Sequence, residues 1–164
     1  MRDLRSLGSK VLKLADANPK KAINIIIDSP GGSVFGSMPL LQAVERAKSR
    51  GVVVNCVVTG KAMSMAMHLM AACSRNYILP STLLMYHPVS VNLFDVRLTE
   101  DGAREIYTQM KIIGDYLDTK LRLRLGVSEQ LYMEFWRGEY IQFGHDFMKH
   151  APNFAIMISD VRVK

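Results

Sequence analysis

The sequence predicts an α/β fold with mostly parallel strand pairing. Three observations carry this. Residues 22–27 (Ala-Ile-Asn-Ile-Ile-Ile) and 52–58 (Val-Val-Val-Asn-Cys-Val-Val) are short, β-branched and apolar, as strands are. Helical patterns follow each of them: Leu40, Leu41, Val44 and Ala47 on one stripe, then an Ala- and Met-rich run from Met65 to Cys73. The links between these segments are short, and strand–helix–strand–helix in that form implies parallel crossover units. The chain has 164 residues, 49% of them apolar, so residues 1–164 are read as one domain with its own core.

In chain order, Leu4, Leu7, Val11, Leu14 and Ala15 recur at helical spacing, giving an amphipathic helix over 3–17 that Asn18-Pro19 ends. The first strand, 22–27, has the pattern of one buried on both faces. Asp28-Ser29-Pro30-Gly31-Gly32-Ser33 then breaks the chain at a double glycine. Ser37 and Pro39 open the second helix and Gly51 closes it. The second strand, 52–58, leads into a buried helix over about 64–74. Short strands at 76–79 and 83–86 flank a turn at Pro80-Ser81-Thr82, and His87-Pro88 ends the second of them. Residues 89–97 lack a clear period and read as a loop or irregular hairpin. A long helix starts at Thr99, with Ile106, Met110, Ile113, Leu117 and Leu121 on one stripe and Gly126 at its end. Thr99 can cap it, and Glu100 and Asp101 sit where the helix dipole favours acids. Its length suits a helix that projects from the body or packs on another subunit. Ser128 caps a short helix over 129–135. Residues 136–144 read as irregular, with a short strand at Tyr140-Ile141. A helical turn at 145–150 and a strand at 154–158 complete the chain.

Composition excludes several function classes. The net charge is +6, but the basic residues are scattered. The densest set, Lys120, Arg122 and Arg124, reads as a solvated helix end, so no nucleic-acid partner is expected. No apolar run is long enough to span a bilayer. The basic start, Met1-Arg2-Asp3-Leu4-Arg5, leads into an amphipathic pattern and not a secretory signal. Cys56 and Cys73 lie in apolar runs without metal-ligand spacing. They read as buried free thiols, which suits a reducing compartment such as the cytoplasm. No metal or cofactor is called for. The eleven methionines read mainly as core filler. Tyr132, Phe135 and Trp136 form an aromatic set better suited to core than to a subunit contact.

Three features bear on chemistry. Ser64 stands where the second strand turns into a helix, in Thr59-Gly60-Lys61-Ala62-Met63-Ser64-Met65-Ala66-Met67. A serine there is commonly only an N-cap. It also stands beside unpaired N–H groups and the positive end of a helix dipole, which would stabilise an oxyanion. His87 ends an apolar strand, where a lone histidine is usually structural. Gly31-Gly32 ends the first strand; it is a turn signal, but glycine also lets backbone N–H groups approach a ligand closely. Acyl transfer needs these parts: a hydroxyl nucleophile, an imidazole to take its proton and N–H donors for the oxyanion.

The segments Ile-Ile-Ile-Asp-Ser-Pro-Gly-Gly-Ser-Val (25–34), Gly-Lys-Ala-Met-Ser-Met-Ala (60–66) and Leu-Met-Tyr-His-Pro (84–88) resemble, in this order and at similar spacing, motifs of the proteolytic subunit of the Clp protease. The resemblance covers about 4–150. It implies a ββα spiral of the kind shared with crotonases, with a mostly parallel sheet and a protruding handle helix at about 99–125. It implies a serine peptidase with Ser64 as nucleophile and His87 as general base. The N–H groups of Gly32 and Met65 would form the oxyanion hole. Gly32, Ser33, Val34, Phe35, Pro88 and Val89 would hold an extended peptide by strand-like pairing. Stacked heptameric rings, unfolded polypeptide substrates and an AAA+ unfoldase complete what it implies.

The sequence departs from the family pattern in four places. Gly138 falls at the position of the third triad residue, an Asp, and Glu139 is the nearest carboxylate. Ala66 stands where the family often has Gly. His87 runs directly into Pro88, which would shift the substrate strand. The chain begins inside the family's first helix, so the pore loops that touch the ATPase are expected to be missing and unfoldase docking is in question. Two other readings follow: a ring subunit that has lost activity, and a crotonase-type acyl-CoA enzyme with Ser64 and His87 coincidental. An organellar or viral source stays open beside a cytoplasmic one.

Overall fold

The sheet is organised around one long strand. In the computed structural model, which describes residues 4–90 and 99–160, that strand is β2 (Val54–Met63). β1 (Ile23–Ser29) runs parallel along one side of it, from Ile23 opposite Val54 to Ser29 opposite Ala62. The other side is shared. β3 (Arg75–Ile78) pairs parallel with residues 55–58, and β4 (Leu83–Met85) pairs parallel with Lys61, Ala62 and Met63. β6 (Ile156–Met157) lies parallel to β3, and β5 (Gln142–Phe143) is antiparallel to β4. The fold is α/β with a mostly parallel sheet, as the strand–helix alternation predicts.

Helices cover this sheet. α1 (Leu4–Ala17) packs on α2 (Val34–Ser49). They approach closely because Gly8 has no side chain: a Cβ there would lie 2.9 Å from the Pro39 carbonyl oxygen. α3 (Met65–Ala72) is buried along nearly its whole length, so it is apolar all round. α4 (Glu100–Leu125) is about 39 Å long at 1.5 Å per residue. Thr99 Oγ1 accepts from Gly102 N–H at its start, and Gly126 ends it in the left-handed conformation (φ 69°). Its buried residues, Gly114, Leu117, Leu121 and Leu125, all lie in the second half. α5 (Glu129–Gly138) and α6 (Gly144–His150) complete the set. Val44, Ala47, Val54, Val58, Ala62, Met67, Met70, Ile78, Leu84 and Leu121 are fully buried and make the core. Among the described residues no helix is long and apolar enough to cross a membrane, and no acidic, histidine or cysteine cluster could hold a metal ion.

Several expectations are corrected. β1 is not buried on both faces: its exposure alternates, with Ile23 and Ile27 turned into the core and Asn24, Ile26 and Asp28 outward, so among the described residues only one of its faces is covered. α2 starts at Val34, earlier than Ser37, because Ser33 caps it by accepting from Gly36 N–H. β2 runs on past Val58, where the sequence pattern predicts its end, through Gly60 and Lys61 to Met63, because β4 supplies a new neighbour there. The short strand falls at 142–143 and not at Tyr140-Ile141. Cys56 and Cys73 are not free thiols. They are joined in a disulfide, with their Cα atoms 5.9 Å apart, so the ground for expecting a reducing compartment falls away. Tyr132 is core and Phe135 half-buried, as the aromatic reading has it; the Trp136 side chain and residues 91–97 of the expected loop lie outside the described set. Lys120, Arg122 and Arg124 do sit at the end of α4, but Lys120 pairs with Glu45 and Arg124 donates to the Ser74 carbonyl.

Candidate active site

Ser64 and His87 meet because two parallel strands end together. Met63 lies opposite Met85, so the residues just beyond them leave the sheet on the same side. Ligands in open α/β sheets collect at such carboxyl ends of strands. Ser64 N–H donates to the Met85 carbonyl at 2.8 Å, and the Ser64 carbonyl accepts from Met67 N–H at 2.9 Å. Between these anchors Ser64 takes φ 53°, ψ −123°, a conformation that L residues rarely adopt. Strain of this kind costs on the order of 1–3 kcal/mol and persists only where the surroundings enforce it. Although Ser64 occupies the N-cap position of α3, its side chain makes no capping hydrogen bond. The hydroxyl turns to His87 instead: Ser64 Oγ lies 2.8 Å from His87 Nε2.

The other imidazole nitrogen, Nδ1, faces a carboxylate. Glu139 Oε1 is 3.7 Å away, within ion-pair distance but beyond a hydrogen bond. The His87 side chain is 23% exposed and that of Glu139 is 63% exposed, so solvent screens the contact. Glu139 is the C-cap of α5, in the left-handed conformation (φ 49°, ψ 37°). Gly138 ends α5 and brings no carboxylate.

Gly31 sits against the turn from the other side. With φ 95°, its absent Cβ would meet Ser64 Cβ at 2.6 Å and the Met63 carbonyl oxygen at 2.7 Å. Its own N–H is engaged by Ser29 Oγ at 3.1 Å. Among the described residues, the N–H groups of Gly32 and Met65 have no protein partner. Met65 is the first residue of α3, where N–H groups are unpaired by geometry.

A cleft of about 630 Å³ opens over these groups. Gly32, Ser33, Val34, Phe35, Ser64, Met65, His87, Pro88 and Val89 all line it. Every site residue named from the sequence is therefore here except Glu139, which stands beside His87. The far wall was missed: His68, Met85, Ile106, Met110 and Ile113. The last three recur at i, i+4 and i+7 along α4, a spacing that core and cleft wall share. His68 lies one helical turn beyond Ser64, which is the signal that could have found it. Burial, and then the nearby His87, push its imidazole pKa down to about 4, against a hydrogen bond to the Leu117 backbone carbonyl that raises it. His68 is neutral at pH 7, and its Nδ1 has no partner.

A hydroxyl on an imidazole, beside free N–H groups at a helix start, can carry out acyl transfer. The comparison with known proteins agrees with that chemistry: the model of the Clp protease family matches residues 4–120. The chain belongs to the Clp protease family. Within this Clp-family chain the match takes in both Ser64 and His87 and ends before α5, so Glu139 lies beyond it. Membership implies peptidase activity and favours peptide-bond hydrolysis over acyl-CoA chemistry.

Proposed function

We propose that the chain is a serine endopeptidase subunit that works through an acyl-enzyme, with Ser64 as nucleophile and His87 as general base. The observation that carries this is the 2.8 Å contact between Ser64 Oγ and His87 Nε2. As Ser64 Oγ attacks the scissile carbonyl, His87 Nε2 takes its proton. Charge on the carbonyl oxygen is met by the N–H groups of Gly32 and Met65 and by the dipole of α3. Collapse of the intermediate sends the imidazole proton to the leaving amine. Water then attacks the acyl-serine by the same route in reverse. Glu139 supports the imidazolium through space. An exposed ion pair is worth up to about 1 kcal/mol, which is about fivefold in rate. The acid is therefore an aid and not a requirement.

The substrate is an extended, unfolded polypeptide lying along Gly32, Ser33, Val34 and Phe35 on one side and Pro88 and Val89 on the other. Residues 1–164 act as one domain of the ββα spiral type, with α4 as the handle that meets a second ring. Ring assembly, a closed chamber and service by an AAA+ unfoldase belong to this reading through the family, which generally forms oligomeric rings on peptide substrates. Exposed Tyr107 and Ile112 on α4 are consistent with it. The test is hydrolysis of a fluorogenic peptide. Ser64→Ala abolishes turnover, and His87→Ala lowers kcat by ~10² or more. Turnover retained in Ser64→Ala contradicts the proposal.

A further inference from the structure

The contact between His87 and Glu139 depends on where α5 ends, and among its described side chains Tyr132 is the one that anchors it deepest, while Met133 and Phe135 pack partly buried beside it. The ring of Tyr132 stacks on Tyr86 with centroids 4.9 Å apart and planes 18° apart. Tyr86 immediately precedes His87. Tyr86 also donates its hydroxyl to the Tyr132 carbonyl at 3.4 Å. Tyr132 in turn donates its own hydroxyl to Asp118 Oδ1 of α4 at 2.7 Å. Among the described side chains of α5, Tyr132 alone is buried. The helix runs two turns beyond it and stops at Glu139.

From this arrangement we infer that Tyr132 is a positioning residue for the proposed reaction, fixing α5 so that Glu139 reaches the His87 imidazole. This rests on the roles given above to His87 and Glu139. Among the described residues none from α5 lines the cleft, so Tyr132 touches neither substrate nor nucleophile. Its influence passes through Glu139. Burial pushes both tyrosine hydroxyls well above their ordinary pKa, so they remain donors throughout the working pH range.

The test reads the histidine directly. In Ser64→Ala protein carrying ¹⁵N-labelled histidine, Tyr132→Phe and Glu139→Gln shift the His87 imidazole resonances in the same direction at pH 7. Adding Tyr132→Phe to Glu139→Gln produces no further shift. Tyr86→Phe, which keeps the stack and removes one hydrogen bond, gives a smaller shift of the same sign and serves if Tyr132→Phe does not fold. Unmoved His87 resonances in these variants, or a Tyr132→Phe shift that persists undiminished beside Glu139→Gln, overturn the inference. Because Ser64→Ala has no turnover, this outcome is separate from failure of the hydrolase reading, which shows as wild-type turnover that does not need Ser64. In the active protein, Tyr132→Phe lowers kcat by at most the roughly fivefold of Glu139→Gln, with KM unchanged.

Discussion

A methyl group at Gly31 would lie 2.6 Å from the Cβ of Ser64, on a backbone whose φ of 95° already disfavours it. Gly31→Ala is therefore predicted to destabilise the fold by about 2–4 kcal/mol, combining overpacking with strain. Chemical denaturation measures this, and any folded fraction should react poorly because Ser64 must move. His68 sets a pH dependence. Its pKa is about 4 in the fold against 6.5 unfolded, so below pH 6.5 the unfolded chain takes up a proton that the fold refuses. Stability contributed by the neutral imidazole is whole above pH 6.5 and falls by about 3 kcal/mol as the pH drops to 4. His68→Phe should flatten that part of the curve. Ser64, His87 and Gly32 were legible because hydroxyl, imidazole and double glycine are chemically marked. His68 was not, since its one signal, the four-residue step from Ser64, is a spacing that ordinary core residues of a buried helix share. Glu139 was legible only as the nearest carboxylate; its actual reach depends on how α5 docks.

The elements bring Ser64 and His87 together through register. Met63 opposite Met85 is a pairing between strands separated by a whole helix, which local pattern does not specify. The alternation of strand and helix was readable, as were Thr99 and Ser128 as caps, because their signals are local. The length of β2 was not: Thr59-Gly60-Lys61 has turn composition, and only the neighbouring strands make it extended. The disulfide was hidden for the same reason. Cys56 in β2 and Cys73 after α3 are 17 residues apart and face each other only once the helix has folded back on the strand. The bridge encloses Ser64 and ties the element that leads into it to the element that leaves it. Closing a loop of that length is worth about 3 kcal/mol. Urea unfolding with and without dithiothreitol should differ by that amount; identical stability would show that the bridge contributes nothing.

Across the whole molecule, core and fold class followed from apolar patterning, while the outer surface did not. Ile26, Phe35, Tyr107 and Ile112 are large, apolar and exposed in one protomer. Singly such residues are ordinary, but rings in the proposed assembly would cover some of them. Light scattering should then give a mass several times the 18.4 kDa of one chain; a monomer at micromolar concentration would contradict the ring. The account as a whole stands on the pairing of Ser64 with His87. Its most direct measurement is peptide mapping by mass spectrometry after reaction with a fluorophosphonate. The adduct is predicted on Ser64 alone, and replacing His87 by alanine should slow its formation. Labelling elsewhere in the chain, or none at Ser64 in folded protein, would contradict the account.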